Sequence, residues 1–311
     1  MTPAPTPAKP PRTDAQTGLL AALAAYGAWG FFPVFFRWLH PAGSFEVLAH
    51  RIVWSGVFLL VIFAATGNWT WLKVLRTDRT VRTRSWLAGA LVSVNWLVYL
   101  LAVNAERVVD ASLGYFINPL VTVVLGMALL GETIRPLQRF ALAVAALAVV
   151  VLAVGYGEFP YIGIVLALTW GFYGYIKRGS NLDALGSLAA ETTILWPFAI
   201  GGLVWAMASG HASFTSGDFG LDGRLLLAGP VTALPLVLFG IAAPKLPMVT
   251  IGLMQYIVPI TQLILGVWLY GEAMPPARLA GFALIWVAVI ALVADGLRSR
   301  SAAAATIAVD A

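Results

Sequence analysis

No cysteine occurs in the 311 residues, and histidine occurs three times. The first absence removes disulfides, thiolate nucleophiles and Cys-ligated zinc, and the second leaves too little imidazole for an ordinary metal centre. Charge is scarce as well. Asp, Glu, Lys and Arg make up 11% of the chain, whereas 60% is hydrophobic and twelve residues are Trp; a soluble domain is about a quarter charged. That balance points to a bilayer. Also missing are a Walker-type phosphate loop, GxSxG, HExxH and a spaced carboxylate pair, so no catalytic residue, cofactor or direct ATP drive is expected. The net charge of +5 is spread between apolar segments without a nucleic-acid-binding motif, which argues against a nucleic-acid partner.

What is present is a succession of long apolar runs. A span needs about 20 apolar residues, and polar or Gly/Pro punctuation divides the chain into ten: 18–39, 45–66, 85–105, 110–130, 136–154, 160–177, 184–208, 225–243, 248–270 and 277–296. The Pro-rich start, MTPAPTPAKPPRTDAQ, has no apolar core and reads as a disordered cytoplasmic tail (1–17), matched by a second tail at 297–311. With the N-terminus inside, the inner segments collect 14 basic residues and the outer ones 4, as Lys and Arg retained on the cytoplasmic side require. The basic stretch WTWLKVLRTDRTVRTR (69–84) is expected to be a solvated loop.

The chain also resembles itself. INPLVTVVLGMALLGETIRP (117–136) and IVPITQLILGVWLYGEAMPP (257–276) share Ile117/Ile257, Pro119/Pro259, Gly126/Gly266, Gly131/Gly271, Glu132/Glu272 and Pro136/Pro276 at a constant offset of 140, and AWGFFP (28–33) meets TWGFYG (169–174) at 141. Two halves of five spans result, 18–154 and 160–296. Because five is odd, the second copy enters the membrane from the opposite side, and the repeats are inverted. In such transporters the substrate site lies near the midplane, at the repeat interface.

These features resemble the drug/metabolite transporter (EamA) superfamily. The likeness is carried by Trp29-Gly30 and Trp170-Gly171, the Pro and Gly-Glu pattern, and Arg51 early in the second span. AHRIVWS (49–55), SVNWLVYLLAVN (93–104), SLGYFINPL (112–120) and LMQYIVPITQLI (253–264) are similar to its RarD branch. The resemblance implies an all-α integral membrane protein of ten helices in two inverted EamA-type repeats, both termini inside, with spans 1, 3, 4, 6, 8 and 9 around a central cavity and span 2 toward its outside.

Two sets of residues are candidates. Ionisable groups within a span cost about 2.5 to 3.5 kcal/mol each at the helix centre, so they persist only when paired, hydrated or functional. Glu46 and His50 are spaced i,i+4 and could meet; Arg51 is either an anion-binding group or glue across the repeat interface; His50 is either a proton carrier, its ordinary titration lying near neutrality, or structural in the same way; Glu191 is either a proton-coupling site or the counter-ion of an arginine. The second set is polar and quiet. Asn95 and Tyr99, Tyr115 and Asn118, and Gln255 and Gln262 each share a helix face. With Trp29 and Trp170 they would line a cavity for a small polar or amphipathic solute, interhelical hydrogen bonding being the alternative. Pro119 and Pro259 are expected to kink their helices as hinges, and Gly30 and Gly171 to allow close helix approach. Glu132 and Glu272 read as hydrated carboxylates at helix ends.

The expected function is a secondary transporter of the bacterial inner membrane that moves a small organic solute by alternating access, outward and coupled to protons or exchange. Uptake or facilitated exchange of a metabolite is the alternative, and a non-transporting sensor or assembly protein the alternative of another class. The expected partners are the solute and the lipid bilayer; a homodimer is left open.

Overall fold

The computed structural model describes residues 13–104, 108–156 and 161–269, together with 276, 279–281, 283–291 and 294–295. Within these residues the chain is helical, with no strand. Helix α1 (Asp14–Gly30) starts at a capping box, Thr13 Oγ1 accepting from Gln16 N at 3.3 Å and Gln16 Oε1 from Thr13 N at 3.1 Å. A 41° bend leads into α2 (Phe32–Trp38). Pro33 explains the break: it has no N–H, and its ring crowds the carbonyl of Trp29 one turn back. The corresponding residue in TWGFYG is Gly174, which keeps its N–H, and α8 (Tyr161–Arg178) runs through it unbroken.

Between them lie α3 (Ser44–Thr66), stopped by Gly67 at φ +67°, then α4 (Thr70–Thr77), α5 (Arg79–Asn104), α6 (Val108–Leu130) and α7 (Pro136–Tyr156). The stretch 69–84 is therefore not simply a solvated loop: α4 is a short amphipathic helix that buries Trp71 and Leu75 and keeps Lys73 and Arg76 outward. After α8 come α9 (Ala184–Ala208) and α10 (Phe219–Ala242), each capped by the aspartate before it, Asp183 to Gly186 N at 2.8 Å and Asp218 to Leu221 N at 3.0 Å.

The apolar run expected at 248–270 is interrupted. It comprises α11 (Met248–Met254), a turn at Gln255 and Tyr256, α12 (Ile257–Ile264) and a π-helical turn (Leu265–Leu269). Pro259 accounts for the break, because the N–H it lacks would have bonded the carbonyl of Gln255, which is instead taken up by Val258 N at 3.1 Å. Pro119 has no such effect on secondary structure: α6 continues through it.

Among the described residues five helices are long and apolar enough to cross a membrane, six if the bent α1–α2 pair is one span, and Gly114–Leu130, Pro136–Val151 and Leu279–Ala291 are shorter apolar helices. Large apolar side chains cover the outside, Trp268 and Phe219 each 87% exposed, which in water would be an aggregation hazard and in lipid is the ordinary exterior. The protein is a multi-pass membrane protein. Helix α3 packs between α9 and α10, α6 against α8 and α11, α1 against α10 and α12, and α5 against α8 and α9.

Two carboxylates fasten opposite ends of this bundle. Glu46, at the start of α3, accepts from the backbone N–H groups of Ser213 and Phe214, each at 2.8 Å. Glu132, just beyond α6, accepts from Met248 N at 2.8 Å and Val249 N at 2.9 Å and so caps α11. The Gly-Glu pattern now has a cause. Gly131 takes φ +65°, Glu132 N reaches back to Gly126 O at 3.1 Å, and a Cβ on Gly126 would sit 3.0 Å from the Glu132 carboxylate. Glu132 is accordingly a helix cap and not a merely hydrated carboxylate. Its repeat counterpart, Glu272, lies outside the described residues, as does Gly271.

Candidate functional site

A cavity of about 90 Å³ lies among α1, α2, α3, α5, α6, α8 and the α11–α12 break. Trp29, Asn95, Tyr99, Tyr115, Asn118, Trp170 and Gln255 line it, and Gln262 does not; Gln262 stands behind the lining, hydrogen-bonded to the Tyr115 side chain. The floor is aromatic. Trp29 meets Trp170 edge-on at 5.0 Å, and Phe239 lies 5.9 Å from the first ring and 5.3 Å from the second. Across the cavity, Tyr99 and Tyr115 meet edge-on at 5.9 Å.

The amides divide between the two roles open to them. Asn95 Nδ2 donates to Leu166 O and Thr169 Oγ1, both at 2.8 Å, and so ties α5 to α8 while facing the cavity. Gln255 Nε2 donates to Thr122 Oγ1 at 3.0 Å, and that hydroxyl donates in turn to Asn118 O at 2.9 Å. Since the Thr122 proton is spent on a carbonyl, the Gln255 group facing it must be the NH₂. Gln255 Oε1 is left buried without a partner, as are Asn118 Oδ1 and Tyr26 Oη.

Arg51 also lines the cavity, although span 2 was expected to face away from it. It is 3% exposed. Its Nε donates to Thr232 Oγ1 of α10 at 3.0 Å, and its guanidinium carbon lies 4.0 Å from the ring centre of Trp96 and 5.0 Å from that of Phe36. Among the described residues no carboxylate is paired with it. Phe32 and Phe36 reach this point because α2 is bent off α1, a consequence of Pro33 that helical periodicity alone did not bring out. Tyr26 and Trp96 were missed for another reason: the cavity takes up a wider arc of α1 and α5 than one i,i+4 face.

Three comparisons bear on what such a chamber belongs to. Residues 16–154 match the EamA-like transporter family. Protein RarD of Streptomyces exfoliatus is 45% identical over 92% of this chain and 91% of its own length. An uncharacterised transporter of Vibrio cholerae is 39% identical over 94% and 97%, and Protein RarD of Escherichia coli 36% identical over 92% and 96%. The chain belongs to the EamA-type drug/metabolite transporter superfamily, in its RarD-like branch. It is thus a membrane transporter of that type. One solved crystal structure shares its fold at 18% identity, with a TM-score of 0.67 over 88% of this chain and 96% of the other.

Among the described residues, the other charges of this RarD-like transporter lie away from the cavity. Glu46 does not meet His50 as its i,i+4 spacing allowed, because it reaches across to Ser213 and Phe214. His50 instead accepts from Trp54 Nε1 at 2.8 Å and packs against Phe214, ring centres 4.7 Å apart. Glu191 is the counter-ion of a lysine and not of an arginine: Lys177 Nζ lies 2.8 Å from it, with both side chains 2% exposed. Ser187 and Tyr173 complete its shell at 3.1 and 3.3 Å, and the Tyr173 ring, 5.4 Å from Trp170, stands between this pair and the cavity floor. Gly30 and Gly171 lie at close crossings, since a Cβ would come within 2.6 Å of Thr261 at the first and 2.8 Å of Leu125 at the second.

Proposed function

We propose that this transporter moves a small polar or amphipathic organic solute across a bacterial inner membrane by alternating access. In this reading ten spans form two inverted repeats, 18–154 and 160–296, with both termini cytoplasmic. The carrying observation is the chamber itself. Residues of both halves, Trp29 and Tyr115 from the first and Trp170 and Gln255 from the second, converge on it deep in the bundle, with aromatic walls and polar groups left over. The family match over 16–154 is consistent with a first unit of that extent.

Size supports a moving wall. Drug-sized ligands occupy pockets of about 300–1,000 Å³, and this cavity of about 90 Å³ is too small for one without rearrangement. Both Glu46 and Glu132 bind the first half to the second, at opposite ends, by hydrogen bonds to backbone N–H groups. Opening one end while the other stays fastened is what alternating access requires. With no nucleotide-binding motif in the sequence, export driven by protons or by exchange fits best. Uptake of a metabolite uses the same geometry.

The test is counterflow in proteoliposomes: labelled amino acids, amphenicols and sugar phosphates are followed into vesicles, with a pH dye inside. Transport of at least one solute that falls about tenfold or more in Asn118→Ala and Gln255→Ala is the expected result. Unchanged transport in a variant lacking Asn118, Tyr115 and Gln255 side chains would sink the cavity as the route.

A further inference from the structure

The observation that asks for an explanation is Arg51. A guanidinium 3% exposed, in a span, normally stands against a carboxylate, because a lone buried charge is costly. Here the described partners are a threonine hydroxyl and aromatic faces. Among the described residues only Nε is committed to a directed hydrogen bond, so the terminal N–H groups, the fork that suits a carboxylate, remain for something else. Independently, the same cavity holds polar atoms short of partners: Asn118 Oδ1 has no donor, and Gln255 Oε1 has none beyond the hydroxyl of Tyr26, which lies against the Gln255 amide. Thr122 fixes the Gln255 orientation, so a flipped amide does not resolve the deficit. A cation wanting an anion, the Asn118 oxygen wanting a donor and walls of indole describe one kind of molecule.

We infer that the cavity takes a small organic anion carrying a hydrogen-bond donor and a flat apolar body. Its carboxylate, or an equivalent monoanionic head, docks on the Arg51 fork and its N–H or O–H donates to Asn118 or Gln255. The apolar part lies among Trp29, Trp96 and Trp170. Binding of this solute supplies the charge that Arg51 lacks, so the loaded cavity is electrically balanced where the unloaded one is not. This rests on the reading of the chamber as the transport site.

The test uses three probes of one shape and different charge: 4-hydroxybenzoate, 4-hydroxybenzamide and 4-hydroxybenzylamine. Binding to the purified full chain is followed by calorimetry and crossing by counterflow. The expected result is that the anion binds at least about tenfold more tightly than the amide, and the amine not measurably. Arg51→Gln abolishes the anion's advantage while leaving amide binding in place, and Arg51→Lys restores part of it. The wild-type comparison needs no variant and stands even if Arg51→Gln fails to fold. Equal binding of anion and amide, an anion preference that survives in Arg51→Gln, or no binding of any probe at millimolar concentration overturns the inference and makes Arg51 structural. Failure of the transport reading looks different: the anion binds with Arg51 dependence, yet no solute crosses the bilayer. Neutral or cationic solutes that cross while the anion neither binds nor crosses leave transport standing and remove the anion.

Discussion

In FEVLAHRIVWSG (45–56) three ionisable side chains share one turn and a half of an apolar helix, and each has a different partner, although Glu46 Oε2 and His50 Nε2 stay buried without one. Glu46 receives two backbone N–H groups, His50 an indole N–H, and Arg51 a hydroxyl and an aromatic face. None uses another of the three. The sequence did not show by whom Glu46 and Arg51 are met, because their partners lie about 160 to 180 positions away, in α10 and the loop before it, whereas Trp54 stands one turn from His50. Glu191 teaches the same lesson. Its partner Lys177 looks in the sequence like one more cytoplasmic basic residue, and only the fold turns it inward to 4% exposure. Breaking such a pair costs about 3–5 kcal/mol by stranding the remaining charge, whereas replacing both partners with apolar residues is often neutral or stabilising. Glu191→Gln alone is therefore expected to lower the thermal midpoint of the purified protein markedly, and Glu191→Leu with Lys177→Met to recover most of the loss. A double variant as unstable as the single one would show that the pair is not an isolated electrostatic unit.

Most helix positions were legible to within a few residues, because apolar length acts locally, although α5 and α10 each begin six residues before the span expected for them; helix continuity was not legible. Pro33 breaks its span, Pro259 breaks its own, and Pro119 leaves α6 whole, although all three remove the same bond. One regularity ties them to the chamber: the residue one turn before each, Trp29, Gln255 and Tyr115, lines the cavity. The crossing of α3 and α10 leaves no room for a new side chain, since a Cβ on Gly229 would lie 2.2 Å from the backbone carbon of Trp54. Gly229→Ala should force these helices apart, costing about 1–3 kcal/mol and showing as poor recovery from the membrane with a lowered melting temperature. Gly223→Ala on the same helix, where a Cβ meets nothing within 4 Å, serves as the control. The Glu132 cap is the corresponding element on the other side of the molecule. Its removal in Glu132→Ala leaves two buried N–H groups of α11 wanting, and faster labelling of a cysteine placed at Met248 is the expected readout. Labelling unchanged by that substitution would mean that α11 is held by packing alone.

At the scale of the whole molecule the argument turns on sidedness. Sequence repetition and basic residues give a handedness to the chain, and the fold adds two sets of interlocked loops at opposite ends. At one, Glu46 meets Ser213 and Phe214 and Arg224 donates to Trp38 O at 2.7 Å. At the other, Glu132 meets α11, Arg178 donates to Leu246 O, Arg84 to Gly179 O, and Lys245 pairs with Asp14. The second end is the more basic, and positive residues stay in the cytoplasm. A chain without cysteine can test this without a prior background of removed thiols. Ser213→Cys and Ser180→Cys, at opposite ends, should react oppositely with a membrane-impermeant maleimide: the first in right-side-out vesicles, the second only in inside-out ones. Reversed labelling would invert the orientation and leave the inverted repeat intact, because that symmetry is indifferent to which half faces in. Labelling of both positions from one side would instead break the five-span count, and with it the reason for expecting the chamber at the meeting of two inverted halves.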